Sequence, residues 1–585
     1  MTQGELMIAE VIINSNVRNL NRIFDYQIPN NLDGEVVIGS SVLVPFGNGK
    51  KWEEGYVVGI KSTSFYQVKE IAALHPEHNV EEKRIELAKW MARRYFCNVA
   101  DCLRMMIPPG TDWKNKKTIK EKNIKCVYLK QGKEQIRFAI ENTIKSLKQK
   151  RVLEFLIQNE GIAVSDLQSY TEVSLSILKT LEKNQYIKLV DEKIDRSPIA
   201  YKKTIRTQKW NLMQEQQMAY TRISEAISKK ENKIFLLHGV TGSGKTEVYL
   251  QLIERVINQG MSAIVLVPEI ALTPQILDRF ISRFGKEEIA VLHSKLSLGE
   301  RFDEWNRIKE GKANIIIGAR SAIMAPVQKL GMIIVDEEQD SSYQSEMTPR
   351  YHAKEVAEFL SKQYQIPLLL GSATPDISTF YKAQKGEITL LSLTKRANDA
   401  TLPNVEIVDL REELASGNRS MISRKLYQEI TTNLKDKKQT ILFLNRRGFS
   451  TFIMCRDCGY TAKCKNCNIS LTYHKKENIL KCHYCGFTSR ILTACPECGS
   501  SKIRYFGTGT QKLEEQIKEV FPNASTIRMD IDTITKKNSH EEILNRFQSE
   551  GIDILIRYTN GSKRTSFSQC NISRSYCCRW KFKYG

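Results

Sequence analysis

The sequence predicts a multidomain α/β protein, and three observations lead to that fold class. The chain has 585 residues, which exceeds the size of one hydrophobic core and suggests about three to five domains. From residue 230 onward, short apolar strands such as IFLLHG, AIVLVP and MIIVDEE alternate with helical segments. This alternation is typical of a parallel sheet covered by helices on both faces. A second series begins near residue 405 and is interrupted by a cysteine-rich insert.

The chain before residue 200 predicts two smaller domains. Residues 5–70 alternate apolar and polar positions around turn signals, as in IFDYQIP and SSVLVPFGNG, which favours a β-rich domain. Residues 145–195 predict a helix, a turn, a second helix and a short hairpin. This is a winged-helix pattern, in which the second helix could lie in a DNA groove.

Composition restricts the partners of the chain. Lys and Arg number 88 against 66 Asp and Glu, a net charge of +22, which favours polyanions and nucleic acid first among them. The sequence has no run of about 20 apolar residues, and its N-terminus lacks the features of a signal peptide. We therefore expect a cytoplasmic protein with no membrane partner.

A phosphate-binding loop is predicted between residues 239 and 246. The segment GVTGSGKT fits the pattern GxxxxGK[ST] and lies between an apolar strand and a helix. Glycines at Gly239, Gly242 and Gly244 would let backbone N–H groups approach phosphate, and the helix N-terminus favours the anion. Lys245 is expected at the β- and γ-phosphates and Thr246 at Mg²⁺. A structural glycine-rich turn is the alternative, which the flanking strand and helix disfavour.

An acidic strand end supplies the second part of an ATPase site. In MIIVDEEQD, Asp336 could hold Mg²⁺ through water, and Glu337 could orient and deprotonate the attacking water. Acidic residues after a strand are usually a solvated loop. Because this strand follows a P-loop and precedes GSATPD at 371–376, we predict ATP and Mg²⁺ as cofactors and Lys245, Asp336 and Glu337 as catalytic residues.

Four CxxC pairs predict zinc. Eight thiolates would complete two four-cysteine sites, and a reducing compartment disfavours disulfides. Three pairings are possible; we favour the nested one, because the inner pairs have the spacing C-x2-C-x14-C-x2-C, close to a zinc ribbon. We therefore expect two structural Zn²⁺ ions. The predicted ligands are Cys455, Cys458, Cys464, Cys467, Cys482, Cys485, Cys495 and Cys498.

The order of these motifs resembles a known helicase family. The P-loop, VPEIALTPQ, GARSA, DEEQ, GSATPD and FLNRRGFS follow one another as in superfamily 2 helicases. The cysteine insert and the FDYQIP…VPFGNG pattern are similar to those of the PriA family of primosomal replication-restart helicases. The resemblance covers residues 5 to 556 and implies two RecA-like lobes, a zinc insert and branched DNA at stalled forks as substrate. It also implies primosome proteins, single-stranded DNA-binding protein and the replicative helicase loader as partners.

The resemblance also implies domain boundaries. The predicted order is a β-rich domain that binds the 3′ end of DNA, a linker with a winged helix, a first helicase lobe, an incomplete second lobe, a zinc insert within it, and an aberrant tail. These correspond to residues 1–105, 106–200, 205–395, 396–454 with 499–556, 455–498, and 557–585.

Further residues are carried over from the family motor. Glu215 and Gln216 resemble the segment that contacts adenine, and Arg320 in GARSA resembles a DNA-contacting motif. Ser372 and Thr374 would couple the nucleotide state to DNA movement. The chain departs from the family in one place, because Gln339 replaces the usual histidine of DEEH. Gln can still donate and accept hydrogen bonds, so we expect weakened coupling without loss of Mg²⁺ binding.

Two groups of residues are predicted to contact DNA. Phe24, Asp25, Gly47 and Lys69 fall where the family builds a pocket for the 3′ end of a nascent strand, although an aromatic residue in a β-domain is more often core. The loop after the catalytic acids resembles one that senses single-stranded DNA. Its Tyr343 and Tyr351 would stack on bases, unless both rings pack beneath the loop.

Residues 557–585 do not continue the family pattern. They contain seven Lys/Arg, no Asp or Glu and three cysteines, and no periodic apolar pattern from which we would expect folding. Suitable codons for this segment, read one base later, can encode a GTQ…AKG stretch like that of the family. We therefore interpret the tail as a frameshift product that lacks the family's arginine finger.

Two functional hypotheses follow. The first is an ATP-dependent 3′-5′ DNA helicase that recognises stalled or branched forks and initiates primosome assembly. The second is a truncated, ATPase-deficient module that binds DNA and zinc. A general P-loop NTPase is disfavoured, because GSAT, GARSA and the winged helix would have no role in it.

Overall fold

The structure is a computed structural model. It describes residues 7–15, 21–47, 51–109, 123–158, 161–171, 173–193, 196–199, 206–268, 274–294, 296–397, 404–418, 420–444, 451–455, 457–474, 479–482, 484–501, 503–506, 510–529, 543, 546–547, 549–558 and 570–576. The chain divides into two compact units, Met1–Asp399 and Ala400–Gly585. Among the described residues, none of the helices is long and apolar enough to cross a membrane.

The N-terminal domain is built on a six-stranded sheet. Its strands are β1 (Ile8–Ile13), β2 (Ile23–Gln27), β3 (Ser40–Phe46), β4 (Lys51–Lys61), β5 (Lys69–Glu70) and β6 (Ala73–Asn79), followed by helices α1 (Glu82–Arg94) and α2 (Val99–Leu103), with short 3₁₀ turns at Asn30–Leu32 and Arg104–Met106. The sheet order is β5-β2-β1-β4-β3-β6. Because side chains alternate across a strand, one face buries Val11, Tyr26 and Val57 in a separate core.

Helix α1 packs the N-terminal domain against the predicted first lobe, residues 205–395. Its apolar residues, including Ile85 and Met91, belong to the same buried cluster as lobe residues such as Ile323 and Leu360. The buried Arg84 guanidinium donates hydrogen bonds to the carbonyls of Ile323 and Ala325 at 3.2 and 2.7 Å. A buried guanidinium is stable only when its donors find acceptors, so this contact fixes the helix against the lobe.

The next domain combines helices with a three-stranded sheet. Its elements are β7 (Asn123–Leu129), α3 (Lys133–Asn142), α4 (Leu147–Gln158), β8 (Ile162–Ala163), α5 (Val164–Thr171), α6 (Leu175–Lys183) and β9 (Ile187–Lys193). The predicted terminal hairpin is wrong. Strand β9 pairs antiparallel with β7, which precedes the helices, because the apolar residues of α4 and α6 pack against that strand in one core.

The predicted first lobe contains a seven-stranded parallel sheet. Its elements are α7 (Gln214–Lys229), β10 (Ile234–Gly239), α8 (Lys245–Asn258), β11 (Ser262–Leu266), α9 (Pro274–Phe284), β12 (Ile289–Leu292), α10 (Leu298–Lys309), β13 (Ile315–Gly318), a 3₁₀ turn (Arg320–Met324), β14 (Leu330–Asp336), a 3₁₀ turn (Ser341–Tyr343), α11 (Ala353–Tyr364), β15 (Leu368–Ser372), α12 (Ile377–Gln384) and β16 (Thr389–Leu393). The sheet order is β12-β13-β11-β14-β15-β10-β16.

Alternation along these strands creates two cores. Leu236, Ile316 and Ile333 face one cluster, whereas their neighbours Leu237 and Ile334 face the other. Parallel strands buried on both faces read as continuous apolar runs, which is why the sequence marks them clearly. The predicted multidomain α/β class is confirmed.

The second unit holds a smaller parallel sheet and an insert. Its elements are α13 (Leu410–Ala415), α14 (Arg424–Lys435), β17 (Gln439–Leu444), β18 (Thr451–Cys455), β19 (Thr472–His474), β20 (Ile479–Lys481), β21 (Thr488–Ser489), β22 (Ile503–Phe506), α15 (Thr510–Val520), β23 (Thr526–Met529), β24 (Ile554–Tyr558) and β25 (Cys570–Tyr576). The parallel sheet has the order β23-β24-β17-β25, and the insert sheet has the order β21-β20-β19-β18-β22.

Part of the predicted aberrant tail folds. Strand β24 continues through Tyr558 and pairs with β17, and β25 pairs with the other edge of β17. The expectation that residues 557–585 lie outside the fold is therefore wrong for these positions. Ladder hydrogen bonds come from the backbone, so a strand can form without a periodic apolar pattern.

Candidate nucleotide, zinc and DNA sites

The P-loop connects β10 to α8 in the expected geometry. Gly242 and Gly244 have φ angles of +83° and +80°, a left-handed conformation that favours glycine. The Lys245 ammonium donates to the Gly239 carbonyl at 2.7 Å and so lies folded within the loop. The Ser243 hydroxyl, on a residue that is 1% exposed, makes no hydrogen bond with the described residues. An orphaned buried donor here fits a phosphate oxygen.

Gln216 and Glu215 brace this loop from α7. The Gln216 amide accepts a hydrogen bond from Met213 N at 2.8 Å and donates one to the Ser243 carbonyl at 2.8 Å. The Glu215 carboxylate accepts from the hydroxyl and backbone N–H of Thr394 at 2.6 and 2.7 Å, and hydrogen bonding from Thr394 lowers the pKa of Glu215. These two side chains therefore position the walls of the site.

Asp336 lies at the C-terminal end of β14, where it faces the P-loop. Its Oδ1 accepts a hydrogen bond from the Tyr249 hydroxyl at 3.0 Å. Burial and the charge of Glu337 raise the pKa of Asp336 to about 6, against the lowering effects of the Tyr249 hydrogen bond and the Lys245 charge. A carboxylate that is costly to bury beside another carboxylate fits a site for a divalent cation, whose preferred ligands are oxygens. The structure thus brings Asp336 and Lys245 together, as predicted from the sequence.

Gln339 connects Glu337 to the next motif. Its Nε2 donates to Glu337 Oε2 at 2.8 Å, and its Oε1 accepts from the Ser372 hydroxyl at 2.6 Å. The Ser372 hydroxyl also accepts from Thr374 N at 2.9 Å. Glu337 has a φ of +47°, a strained conformation for a residue with a side chain and one that is common at active sites. The amide therefore bridges both neighbours directly.

Glu338 is a third acid of this motif, and sequence reasoning did not single it out. Its carboxylate accepts hydrogen bonds from the Lys354 ammonium at 2.8 Å, the Thr379 hydroxyl at 3.0 Å and the Asp376 N–H at 2.7 Å. The Glu338 side chain is 0% exposed and that of Lys354 15%. This pair ties the strand end to α11 and α12. The position of Glu338 within DEEQ could have identified it from the sequence. No sequence pattern singles out Lys354.

The prediction that Tyr343 and Tyr351 stack on DNA bases is wrong for this structure. Their exposed fractions are 0% and 2%, and the Tyr343 hydroxyl donates to the carbonyls of Leu266 and Asp336 at 3.1 and 2.5 Å. Both rings pack beneath the loop, since burying them removes a large apolar area from water. Arg320, which is half-buried, donates to the Ser342 and Gln344 carbonyls at 3.3 and 2.6 Å and holds the same loop.

The cysteines form two groups with the nested pairing. One group is Cys455, Cys458, Cys495 and Cys498, and the other is Cys464, Cys467, Cys482 and Cys485. Within each group the ligand atoms lie within 4.8 Å of one another, as a tetrahedral zinc site requires. Each group closes around four thiols, so the arrangement is typical of structural zinc.

The four CxxC turns share one backbone pattern. In each, the residue four places after the first cysteine donates its N–H to that cysteine's carbonyl. That residue is Gly459, Asn468, Gly486 or Gly499, with φ between +54° and +79°.

Burial raises the pKa of Cys455, but hydrogen bonds from Cys458 and Asp457 N–H groups outweigh it and lower the pKa to about 7. In the other group, hydrogen bonding from Phe487 N–H lowers the pKa of Cys485 to about 7. Both effects favour one thiolate in each group, whereas burial and shared thiol hydrogen bonds raise the pKa of Cys458 and of Cys467 to about 12.

The predicted 3′-end residues lie around β2 on two faces. Phe24 packs edge-on against Phe46 with ring centroids 5.4 Å apart, and Lys69 donates to the Gly47 carbonyl at 2.6 Å. Asp25 points to the opposite face by strand alternation, where its Oδ2 accepts from Lys61 at 2.8 Å and Ser64 at 2.6 Å. Phe24, Gly47 and Lys69 are therefore neighbours, and Asp25 belongs to a separate polar group.

Parts of three sequence motifs lie outside the described residues. These are residues 269–273 of VPEIALTPQ, residues 445–450 of FLNRRGFS and residues 507–509 before α15.

Family models and related proteins match the same regions. A 3′ DNA-binding domain model matches residues 10–108, a DEAD/DEAH box helicase model residues 214–382, and a model of the PriA DNA helicase Cys-rich region residues 464–490. The replication restart protein PriA of Bacillus subtilis is 39% identical, with 94% of this chain and 76% of that protein covered. The chain belongs to the PriA family of replication restart proteins. It is therefore a DNA helicase of replication restart with a zinc-binding region.

Two other PriA proteins are similar to this chain over most of its length. That of Chlamydia trachomatis is 38% identical over 94% of this chain and 73% of that protein, and that of Haemophilus influenzae is 33% identical over 92% and 72%. Among solved structures, RecG bound to a three-way DNA junction matches 73% of this chain and 50% of that chain at 14% identity and a TM-score of 0.33. That likeness is too low to carry an argument.

Proposed function

We propose that the first lobe uses Mg²⁺ and ATP to drive 3′-5′ movement on DNA, with Lys245, Asp336 and Glu337 at the chemistry. The observation that carries the proposal is the hydrogen-bonded chain from Glu337 through Gln339 to Ser372. It joins Glu337, which we propose activates water, to the motif expected to respond to DNA. A P-loop that bound nucleotide for stability alone would not need this connection.

Each residue has a separate task in this proposal. Lys245 exchanges its contact with the Gly239 carbonyl for the β- and γ-phosphates, and the orphaned Ser243 hydroxyl donates to a phosphate oxygen. Thr246 and Asp336 would hold Mg²⁺, which neutralises phosphate charge during transfer. Glu337 takes the proton of the attacking water. Glu215 and Gln216 place the adenine side of the site.

Nucleotide binding gives the first test. Fluorescent ATP analogue titrated with Mg²⁺ should bind the unmodified chain saturably, and Lys245→Ala should abolish or greatly weaken that binding. Asp376→Asn, a change outside the phosphate site but in the same lobe, is the matched control and should bind normally. Equal binding by the wild type and Lys245→Ala would contradict the P-loop assignment.

We also propose that the N-terminal domain binds the 3′ end of the nascent strand at a branched fork. The support is a cluster of Phe24, Gly47 and Lys69 at one end of β2, in a region that matches a 3′ DNA-binding domain. Primosome proteins, single-stranded DNA-binding protein and the replicative helicase loader are proposed partners on family resemblance. Cytoplasmic location is proposed on the same basis.

A second candidate concerns turnover. Residues 557–585 do not continue the family pattern, and an arginine finger contributes about 10³–10⁵ in rate at related phosphoryl-transfer sites. We infer, as the alternative function, a module that binds ATP, DNA and zinc without ATP turnover. The test is a grafted protein, in which residues after Ile556 are replaced by the corresponding segment of the Bacillus subtilis relative. ATP hydrolysis by the grafted protein, but not by the unmodified chain, supports the inference.

A further inference from the structure

The loop of residues 62–68 lies beside the proposed 3′-end pocket. It joins β4 to β5, and the sheet order places β1 and β2 between those two strands. Lys61 at the end of β4 pairs with Ile8 of β1, and Lys69 at the start of β5 pairs with Tyr26 of β2. The 62–68 loop must therefore span the ends of β1 and β2, next to Asp25.

Hydrogen bonds anchor this loop to Asp25. The Ser64 hydroxyl donates to Asp25 Oδ2 at 2.6 Å and accepts from Tyr66 N at 3.3 Å. The Lys61 ammonium contacts the same Oδ2 at 2.8 Å and Glu10 Oε1 at 3.3 Å. Burial raises the pKa of Asp25, but hydrogen bonds from Lys61 and Ser64 outweigh it and lower the pKa. The carboxylate is therefore ionised and holds the loop in place.

Two aromatic side chains of the loop stand in solvent. Phe65 is 102% exposed and Tyr66 78%, although the loop itself is fixed at Ser64. Adjacent, fully exposed rings on an anchored loop leave a large apolar area in water. Lys69, at one end of the loop, bonds a neutral carbonyl and keeps its positive charge for a negatively charged partner, whereas the charge of Lys61 is balanced by Asp25 and Glu10.

One carboxylate oxygen of Asp25, Oδ1, can accept a hydrogen bond from that partner. Both of its hydrogen-bonded neighbours use Oδ2, and within the described residues no hydrogen bond to Oδ1 is formed. Since Phe24 lies on the other face of β2, a base that Asp25 holds through its edge needs a different ring to stack on. Phe65 and Tyr66 are exposed on the loop that Asp25 anchors.

We propose that Phe65 and Tyr66 form a second stacking platform for a nucleotide at the 3′ end of single-stranded DNA, with Asp25 Oδ1 accepting a hydrogen bond from its base. This inference rests on the proposed 3′-end function and adds residues to it. Stacking is tolerant of sequence because every base has a π-face, and Lys69 contributes attraction to the phosphates.

The test uses forked DNA with 2-aminopurine as the 3′-terminal nucleotide of the nascent strand. Stacking quenches this base, so wild-type protein should quench its fluorescence. Phe65→Ala with Tyr66→Ala should lose most of the quenching and weaken binding to the recessed 3′ end by about 5-fold to 150-fold, the range for stacking on an aromatic ring. Binding to the same fork without a nascent strand should be unchanged.

Two further variants separate stacking from other causes. Phe65→Tyr keeps both rings and should retain quenching, whereas Phe65→Leu combined with Tyr66→Leu keeps apolar character only and should lose it. Phe138→Ala removes a phenylalanine that is 67% exposed in another domain and should behave as wild type. Because Phe65 and Tyr66 pack against little else, their loss should leave the unfolding midpoint unchanged.

The outcomes distinguish this inference from the function on which it rests. If the double alanine variant binds recessed 3′ ends as wild type does while Phe24→Ala does not, the platform is overturned and the 3′-end pocket stands. If the double variant loses affinity equally for forks with and without a nascent strand, the loop is a general DNA contact and the inference is wrong. If wild-type protein shows no preference for recessed 3′ ends, the proposed function itself fails.

Discussion

Gln339 illustrates how much one side chain decides in the nucleotide site. A histidine at this position, the usual family residue, titrates near neutral pH, whereas an amide does not. Gln339 donates to Glu337 and accepts from Ser372 at the same time, which an amide does in one fixed orientation. The expectation of weakened coupling stays a prediction, and both hydrogen bonds of Gln339 are present in this structure.

Replacing Gln339 should weaken the stimulation of ATP hydrolysis by DNA. In the grafted protein, Gln339→Ala removes two hydrogen bonds and should lower DNA-stimulated hydrolysis by about tenfold, or ~1.4 kcal/mol, with ATP affinity changed by less than about twofold, because neither bond reaches the phosphates. Gln339→His can donate and accept and should keep most of the stimulation. A Gln339→Ala protein with normal stimulation would show that the bridge is unnecessary.

Lys354 should be essential for the stability of the first lobe. Lys354→Met leaves the Glu338 carboxylate buried without its cation, and removing one partner of a buried pair costs about 3–5 kcal/mol. The expected result is a clear fall in the unfolding midpoint of the lobe, followed through release of a bound fluorescent ATP analogue. Adding Glu338→Gln removes the unpaired charge and should recover part of the loss. A midpoint unchanged by Lys354→Met would contradict the assigned role.

At the scale of elements, the parallel strands and the CxxC turns were predictable from the sequence. The packing of the loop that carries Tyr343 and Tyr351 was not. Continuous apolar runs marked β10, β11, β14 and β15, because strands buried on both faces need no polar positions. Cysteine spacing limited the zinc pairing to three alternatives. In contrast, Tyr343 and Tyr351 lie in a polar stretch whose packing depends on α11 and the sheet, and local sequence does not contain that tertiary information. The pairing of β9 with β7 was missed for the same reason.

The zinc turns predict a metal content and a backbone requirement. Purified protein should contain about two Zn²⁺ ions per chain, because the eight thiols form two closed groups. Gly486 has a φ of +76°, so Gly486→Val should strain its turn by about 1–2 kcal/mol and speed zinc release to a chromogenic chelator. Asn468→Gly is the matched control, since glycine accepts the same left-handed conformation. One zinc or none by elemental analysis of intact protein would contradict the assignment.

At the scale of the whole molecule, the N-terminal domain and the first lobe share one buried core. Helix α1 contributes Ile85 and Met91 to the cluster that contains Leu360, and Trp90 stacks on Phe359 with centroids 4.5 Å apart. Tyr95 donates to Glu355 at 2.7 Å, next to the Lys354 that holds Glu338. The domain that matches a 3′ DNA-binding model is thus packed directly against α11, the helix whose Lys354 pairs with Glu338.

We expect the 3′-end contact to contribute selectivity for forks and not overall affinity for DNA. Phe24→Ala should reduce the preference for forks with a recessed 3′ end, with little change in binding to plain single strands, because the basic surface supplies the sequence-independent part of affinity. Equilibrium binding to both substrates at one fixed salt concentration measures the ratio. Equal losses on both substrates would show that Phe24 does not belong to a 3′-end pocket.

The most direct test of the ATP-driven motor is steady-state ATP hydrolysis with and without forked DNA. The grafted protein should hydrolyse ATP and be stimulated by the fork, and Glu337→Gln in that protein should abolish turnover while ATP still binds. The unmodified chain should bind ATP, and its turnover compared with that of the grafted protein decides between the helicase and the ATPase-deficient module. A grafted protein that folds, carries zinc and binds forks, yet shows no DNA-stimulated hydrolysis, would contradict the assignment of Lys245, Asp336 and Glu337 to a DNA-dependent motor.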